Sequence, residues 1–381
     1  MSETLADRYR DEFPVKREHI YFNHAGVCPL PRRVAAAAQG VFEQQMETGG
    51  AKYERWLRGI HEARQSLAKL TRAGSEEIAF VKNTTHGLMI AAGSIPFEAG
   101  DNVVTTAIEF PANVYPWLGL ERYGVETRFV GARNGRILVD DLRAAMDRRT
   151  RAIAVSWVQF TSGFRIDLGK LSQLCRDKNC YLVVDAIQGL GALQIDLGRY
   201  SIDFLAADGH KWMLSAEGAG VLYVRRQILG ELQPHALGWL GMEDPFDFLN
   251  YNIRPVAEAR RFEEGSQNVA GIHALGAAAG LFLQAGPAQV ESEVLALTDS
   301  LCERLQSIGC EITAPRGEQE KSGIVTFKHE RAEAKTLAER LTAEGVECVE
   351  RGGAVRFSPH FYNDADEVER AVDIVRRNVA G

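Results

Sequence analysis

The sequence predicts an α/β fold: a large domain built on a mostly parallel sheet with helices on both faces, followed by a smaller α+β domain. Three observations predict it. Strand-like and helix-like patterns alternate from residue 77 to residue 224, the rhythm of successive βαβ units. Two apolar strand-like runs deliver residues that carry chemistry, Asp185 directly after 181–184 and Lys211 shortly after 202–207, and ligands of open parallel sheets collect at the carboxyl ends of strands. A chain of 381 residues, 45% hydrophobic and 25% charged, can bury a large core and suits one large and one smaller domain.

Taken in order, residues 34–70 carry apolar positions at helical spacing broken at Gly49-Gly50, 77–81 read as a strand, and 87–95 as a helix. A strand over 102–106, a helix over 117–123, a strand over 125–130, a helix over 139–145 and a strand over 152–158 follow. Strands at 181–184, 202–207 and 221–224 extend the same sheet. The stretch 232–259, rich in aromatics and holding Pro245 and Pro255, reads as irregular, either a wall of the site or a subunit contact. The Ala/Gly/Leu composition of 271–286 predicts a tightly packed helix linking to the next domain, which segments 295–308, 323–327, 332–344, 355–358 and 364–379 complete. The expected division is a large domain over 20–260 and a small domain formed by 1–19 together with 270–381.

A formal net charge of −7 gives no electrostatic case for nucleic acid or an anionic membrane surface. Residues 1–13 are charged and lack an apolar signal-peptide core, and no apolar run approaches the ~20 residues of a membrane span, so a cytoplasmic location is expected. Cys28, Cys175, Cys180, Cys302, Cys310 and Cys348 are scattered without a CxxC pair or histidines at zinc-ligand spacing, so no metal is expected and the thiols are read as reduced and mostly buried. A P-loop is absent, and the glycine-rich stretch near 218 precedes a strand, the wrong order for a Rossmann turn.

Taken singly, Asp185 reads as a carboxylate ending a strand and Lys211 as the start of a solvated helix. Together they can hold a pyridine ring from both sides. A carboxylate that keeps the nitrogen of pyridoxal phosphate (PLP) protonated makes the ring an electron sink, and a lysine carries its aldehyde as a Schiff base. Partial burial beside cationic groups helps that lysine lose its proton. Gln188, His210 and the small-residue run Ala216-Glu217-Gly218-Ala219-Gly220 fit the same site. Through these residues the sequence resembles, from Tyr21 to about Asn378, the class V aminotransferase group of fold-type I PLP enzymes. That group includes cysteine desulfurases, isopenicillin N epimerases and kynureninases.

The resemblance implies a PLP cofactor and assigns roles. Lys211 would carry the Schiff base and move the Cα proton, Asp185 would face the pyridine nitrogen, and Gln188 the phenolic oxygen, with His210 a further catalytic and cofactor-binding candidate. Asn83-Thr84-Thr85-His86-Gly87 leaves a strand and opens a helix, whose free N–H groups and threonine hydroxyls suit an anion. Thr84 and Thr85 match the family's phosphate segment. Ser266, in Glu264-Gly265-Ser266-Gln267-Asn268, stands where the family reaches the phosphate of the neighbouring subunit, implying a homodimer with composite sites. Phe110, in Glu109-Phe110-Pro111-Ala112-Asn113, occupies the stacking position often held by histidine. A phenyl face packs on a pyridine but transfers no proton.

Arg356 matches the family's Arg-x-Ser segment and supplies a forked donor for the carboxylate of a small amino-acid substrate. Asn23 and His24, in Tyr21-Phe22-Asn23-His24-Ala25-Gly26, resemble the N-terminal motif of the epimerase-like branch and are expected to face substrate. Asp208 stands where desulfurases carry a phosphate-binding serine, and is expected to act at the cofactor through His210. Desulfurases also carry a mobile loop with a nucleophilic cysteine just before the Arg-x-Ser segment. Here residues 349–354 are a short connection without cysteine. The expected activity is therefore aminotransferase-like, with a cysteine-independent C–S lyase or an epimerase as alternatives and a non-catalytic PLP-binding protein as the reading from another class. Cys28, beside the N-terminal motif, is the thiol to watch as a substitute sulfur carrier.

Overall fold

The computed structural model describes residues 3–380. Its centre is a seven-stranded sheet in the order Ile78–Val81, Gly220–Val224, Phe204–Asp208, Tyr181–Asp185, Thr150–Ser156, Asn102–Thr106, Glu126–Val130. All pairings are parallel except those of Gly220–Val224, which runs antiparallel to both neighbours. The central strands Tyr181–Asp185 and Phe204–Asp208 are buried along their whole length. That explains why they read as continuous apolar runs and not as alternating patterns. Successive residues feed opposite layers, Leu182 and Val184 joining one core and Tyr181 and Val183 the other.

The expected helices and strands form, with instructive differences. The helical stretch 34–70 is two helices, Arg32–Thr48 and Tyr53–Thr71, divided at the glycine pair. The helix expected over 117–123 shrinks to one turn, Tyr115–Leu118, followed by a 3-10 turn Glu121–Tyr123 that ends in a left-handed Gly124. The helix expected from residue 295 begins at Pro287, because a proline at the first helical position is a favoured start and not a break. Strands Ile20–Tyr21, Glu311–Ile312, Val346–Glu347 and Val349–Arg351 are too short to show a period in sequence.

Core membership divides the chain differently from the expected boundaries. Helix Val269–Ala285, almost wholly apolar, packs on Arg32–Thr48 and Tyr53–Thr71, and its Ile272, Leu275 and Phe282 enter the core of the large sheet. Leu5, Tyr9 and Phe13 enter that same core, together with Phe361 and Tyr362 from near the other end of the chain. Lys16 fastens this N-terminal segment by reaching the Tyr362 carbonyl at 2.8 Å, Asp364 at 2.9 Å and Glu367 at 2.6 Å. The second core belongs to an antiparallel sheet ordered Val349–Arg351, Ala354–Phe357, Val325–Lys328, Glu311–Ile312, with helices Pro287–Ser307, Ala334–Ala343 and Ala365–Val379. Ile20 and Phe22 join it, since Ile20–Tyr21 pairs in parallel with Val346–Glu347. Among the described residues no single helix is long and apolar enough to cross a membrane.

One close approach positions the site. A Cβ on Gly87 would lie 2.8 Å from the Cβ of Ala206, so glycine lets helix Thr84–Ser94 lie against strand Phe204–Asp208. Its first turn thereby reaches the carboxyl end of that strand.

Candidate functional site

A cavity of about 330 Å³ opens at the carboxyl ends of the central strands. It is lined by Ala25 to Val27, Asn83 to Thr85, Phe110, Phe160, Asp185, Gln188, Asp208, His210, Lys211, Arg351 and Arg356. Lys211 sits in a turn after strand Phe204–Asp208, not in a helix, with the Leu214 amide donating to its carbonyl at 3.1 Å. Its Nζ lies 5.5 Å from the centre of the Phe110 ring. Burial is the main influence on this amine, and with Arg356 and Arg351 it outweighs the attraction of Asp185 and Asp208, bringing the pKa down from 10.5 to about 8.

Asp185 ends its strand fully buried, with Oδ1 accepting from the Ile187 amide at 3.0 Å. Its Oδ2 is buried without any donor. Burial first, and then the neighbouring Glu109, push the carboxyl up to about 7 against the opposing pull of the Ile187 N–H and Lys211. Glu109 opens the motif that places Phe110, but the motif assigns it no role, and it is Glu109 that organises this wall. It accepts from Thr106 Oγ1 (3.1 Å), the Ser156 amide (2.9 Å), Gln159 Nε2 (2.8 Å), Asn113 Nδ2 (3.1 Å) and the Ser156 hydroxyl. These bonds tie the Phe110 segment to the sheet. Thr106 and Asn113 are local partners, but Ser156 and Gln159 come from a different strand end.

A family model for aminotransferase class-V matches residues 20–371. The chain belongs to the class-V aminotransferase family. Among its relatives, a probable cysteine desulfurase of Methanothermobacter thermautotrophicus is 31% identical over 383 residues, covering 94% of each chain. An uncharacterized aminotransferase of Bacillus subtilis is 27% identical and covers 97% of each. The solved apo structure of a cysteine desulfurase from Thermococcus onnurineus NA1 superposes with a TM-score of 0.89 at 24% identity, over 100% of this chain and 99% of that one. The protein is accordingly a fold-type I class-V enzyme, and its cofactor is PLP.

The residues of this class-V enzyme fit that cofactor. The buried Oδ2 of Asp185 lacks the donor that a protonated ring nitrogen provides, and a buried acceptor left without a donor is costly. When bound, PLP supplies an electron sink that acidifies the Cα–H of an attached amino acid. Thr84 Oγ1 accepts from the Asp208 amide at 2.9 Å, which leaves its own hydroxyl proton to donate to phosphate. The helix is capped by Asn83, whose Oδ1 accepts from the His86 amide at 2.9 Å, so the N–H groups of Thr84 and Thr85 stay available for an anion. Gln188 accepts from Trp212 Nε1 at 2.8 Å and donates to the Ala25 carbonyl at 3.0 Å, leaving one amide N–H for the phenolic oxygen. Asp208 does not confront the phosphate bare. Its Oδ1 accepts from the Gly209 amide at 2.6 Å, and His210 Nδ1 stands 2.8 Å from its Oδ2.

Phe110 is 44% exposed at the cavity, with Phe160 edge-on to it at 5.3 Å, so it is no core phenylalanine. Arg356 lies in an interior strand between Val349–Arg351 and Val325–Lys328, 2% exposed. Its Nη1 donates to the Phe160 carbonyl at 2.9 Å, while its buried Nε has no partner. Ser266 lies outside its own chain's cavity, in a separate depression with Lys82, His86 and Gly218.

Two assignments are corrected. His24 and Asn23 do not line the cavity; the residues that follow them, Ala25 to Val27, do. The His24 ring is fully buried, with Nδ1 at 2.8 Å from the Ser358 carbonyl and Nε2 at 2.7 Å from the Tyr362 hydroxyl. Burial, with His360 beside it, holds its pKa well below the usual histidine range. It is a structural histidine joining the N-terminal segment to the residues that follow the last strand, Ala354–Phe357. Asn23 pairs with Ser358, and its side chain packs against Gly26, where a Cβ would come within 2.8 Å of Oδ1.

The depressed Lys211 amine has a kinetic signature. PLP attachment requires the neutral amine, which an ordinary lysine near 10.5 supplies only sparingly at neutral pH. Attachment of PLP to cofactor-free protein is expected to accelerate with rising pH and level off near 8, in stopped-flow absorbance traces. A rate still climbing tenfold per unit above pH 9, about a unit beyond the expected plateau, would contradict the buried-amine geometry.

Proposed function

We propose that this protein removes the α-proton of a small amino acid, with transamination as the first reading of the subsequent step and a cysteine-independent C–S lyase reaction as the second. The convergence of Lys211, Asp185 and Arg356 on one cavity carries the reading. Arg356 holds the substrate carboxylate, and the free N–H groups of its fork suit a bidentate grip. Lys211, poised near neutrality, takes and returns the proton. Phe110 and Phe160 keep water from that wall without competing for the proton.

The second reading draws on the desulfurase-named relative and on an observation about sulfur chemistry. In place of a mobile loop, strands Val349–Arg351 and Ala354–Phe357 are joined by a two-residue turn, Gly352-Gly353, with φ of 60° and 77°. This is the backbone of a tight hairpin, and it holds no cysteine. Cys28 is buried, donates to the Ser215 carbonyl at 3.4 Å, and burial pushes its thiol up to about 12. Cys348 is likewise pushed by burial to about 12, within the small-domain core. Neither thiol forms a ready nucleophile. Cys28→Ala and Cys348→Ala, singly and together, are therefore expected to keep turnover within a few-fold of wild type in assays of keto-acid and sulfide release. Loss of sulfide release from cysteine with normal PLP loading would reinstate a cysteine-dependent desulfurase.

A homodimer with composite sites belongs to the same reading. Ser266, held at φ 48° away from its own cavity, and the exposed Trp239, Phe246, Phe248 and Tyr251 support it as a face for a second copy. Single-turnover spectroscopy with a panel of amino acids tests the whole proposal. Formation of the amine form of the cofactor supports transamination, and pyruvate with sulfide from cysteine supports the lyase. A PLP-loaded protein that exchanges the α-proton of none of them would be a binding protein.

A further inference from the structure

A second guanidinium faces the cavity. In the hairpin register Val349 pairs with Arg356 and Arg351 with Ala354. Cross-strand partners share a face of the sheet, and so do residues two apart along a strand, so Arg351 and Arg356 project to the same side. The Gly352-Gly353 turn fixes this register, because one residue of slip would turn Arg351 to the opposite face. As diagonal neighbours the two side chains start roughly 7 Å apart, within reach of one small ligand. Both line the cavity.

Their surroundings differ. Arg356 is buried and tied to the Phe160 carbonyl, whereas Arg351 is exposed, with Nη1 donating only to the neighbouring Glu350 carbonyl at 2.9 Å. Among the described residues no carboxylate stands within ion-pair distance of Arg351. The carboxylates near the cavity are otherwise engaged: Asp185 faces Lys211 and the ring-nitrogen position, Asp208 sits against His210, and Glu109 is saturated by donors from its own wall. With Thr84 and Thr85 assigned to the phosphate and Arg356 to the α-carboxylate, Arg351 remains as an unmatched cation lining the cavity.

We propose that Arg351 receives a second anionic group, so that the substrate is a small amino acid with an acidic side chain, a carboxylate or sulfinate, and not a neutral one. The proposal rests on reading the cavity as the PLP site with Arg356 at the α-carboxylate. A planar fork over a mobile anion gives charge-assisted, bidentate contacts that a neutral amide side chain cannot accept equally well.

The holoenzyme is titrated with L-aspartate, L-glutamate and L-cysteine sulfinate against L-asparagine, L-glutamine and L-alanine, reading dissociation constants from the cofactor's visible absorption. Calorimetry with succinate against butyrate, neither of which has an amine to react, gives a readout independent of turnover. Acidic ligands and succinate are expected to bind wild type at least about tenfold more tightly than their neutral or monocarboxylate counterparts. Arg351→Gln should erase that preference, weakening acidic ligands and succinate about tenfold more than their neutral counterparts while PLP is still taken up, and Arg351→Lys should restore part of it. Equal binding of both classes to wild type, or equal weakening of both in Arg351→Gln, would overturn the proposal while the PLP reading stood. A protein that takes up no PLP would overturn the site reading itself, and this proposal with it.

Discussion

Replacing Lys211 with alanine is expected to abolish the covalent attachment of PLP and to lower turnover by at least about a thousandfold. A positioned general base alone contributes about 10²–10⁴ in rate, and Lys211 is also the only amine lining the cavity among the described residues. The variant should fold as well as wild type or better. Nζ makes no hydrogen bond in the fold, and burial holds its pKa below that of an unfolded lysine, so below that pKa the native ammonium opposes folding. The packing at this turn comes from its neighbours Trp212 and Met213, both fully buried. Borohydride treatment followed by peptide mass mapping should place a reduced cofactor on Lys211 in wild type and none on the alanine variant, and the melting temperature of the cofactor-free variant should equal or exceed that of cofactor-free wild type. Extraction of all PLP from borohydride-treated wild type would remove Lys211 from its role. Normal turnover in the alanine variant would do the same.

The parts of the site legible in sequence are those governed by strand ends. Asp185 ends and Lys211 follows central strands whose burial on both faces makes them unbroken apolar runs, so the sequence alone places both residues at the carboxyl ends of neighbouring strands. Thr84 and Thr85 are legible for a similar reason, as a strand exit that opens a helix. His24 misleads because its motif does reach the cavity, but through the residues after it, Ala25 to Val27. Its ring satisfies both nitrogens against Ser358 and Tyr362, more than 300 residues away, and no local pattern contains that information. Arg351 escapes a motif-based reading although its signal is present. Gly-Gly between two short strands marks a tight hairpin, and counting the register across it puts Arg351 and Arg356 on one face. The place of helix Val269–Ala285 depends on which neighbours bury an all-apolar surface, and composition alone does not choose between two cores.

Asp185→Asn is expected to retain the fold and bind PLP, yet to slow α-proton removal by about a thousandfold. The substitution keeps the side chain's shape and the bond from the Ile187 amide, and removes only the charge that would face the ring nitrogen of bound PLP. An aspartate there holds a proton on that nitrogen, and a neutral amide does not. Losing one member of a buried, hydrogen-bonded charge pair costs about 2–5 kcal/mol, and about 4 kcal/mol at the transition state corresponds to roughly a thousandfold in rate. Stability should move the other way. Burial raises the Asp185 carboxyl to about 7, so in cofactor-free protein the native state keeps a proton that the unfolded chain releases near 3.8. Between those values stability falls as pH rises, and asparagine abolishes that loss. Bound cofactor reverses the sign for the wild type, because a cation against Oδ2 favours the carboxylate. Wild type should therefore gain more in melting temperature from PLP than the asparagine variant does. The decisive measurement is exchange of the substrate α-proton with deuterium, followed by NMR alongside the melting curves. Wild-type exchange rates in a folded, PLP-loaded Asp185→Asn protein would show that the carboxylate does not hold the ring's proton.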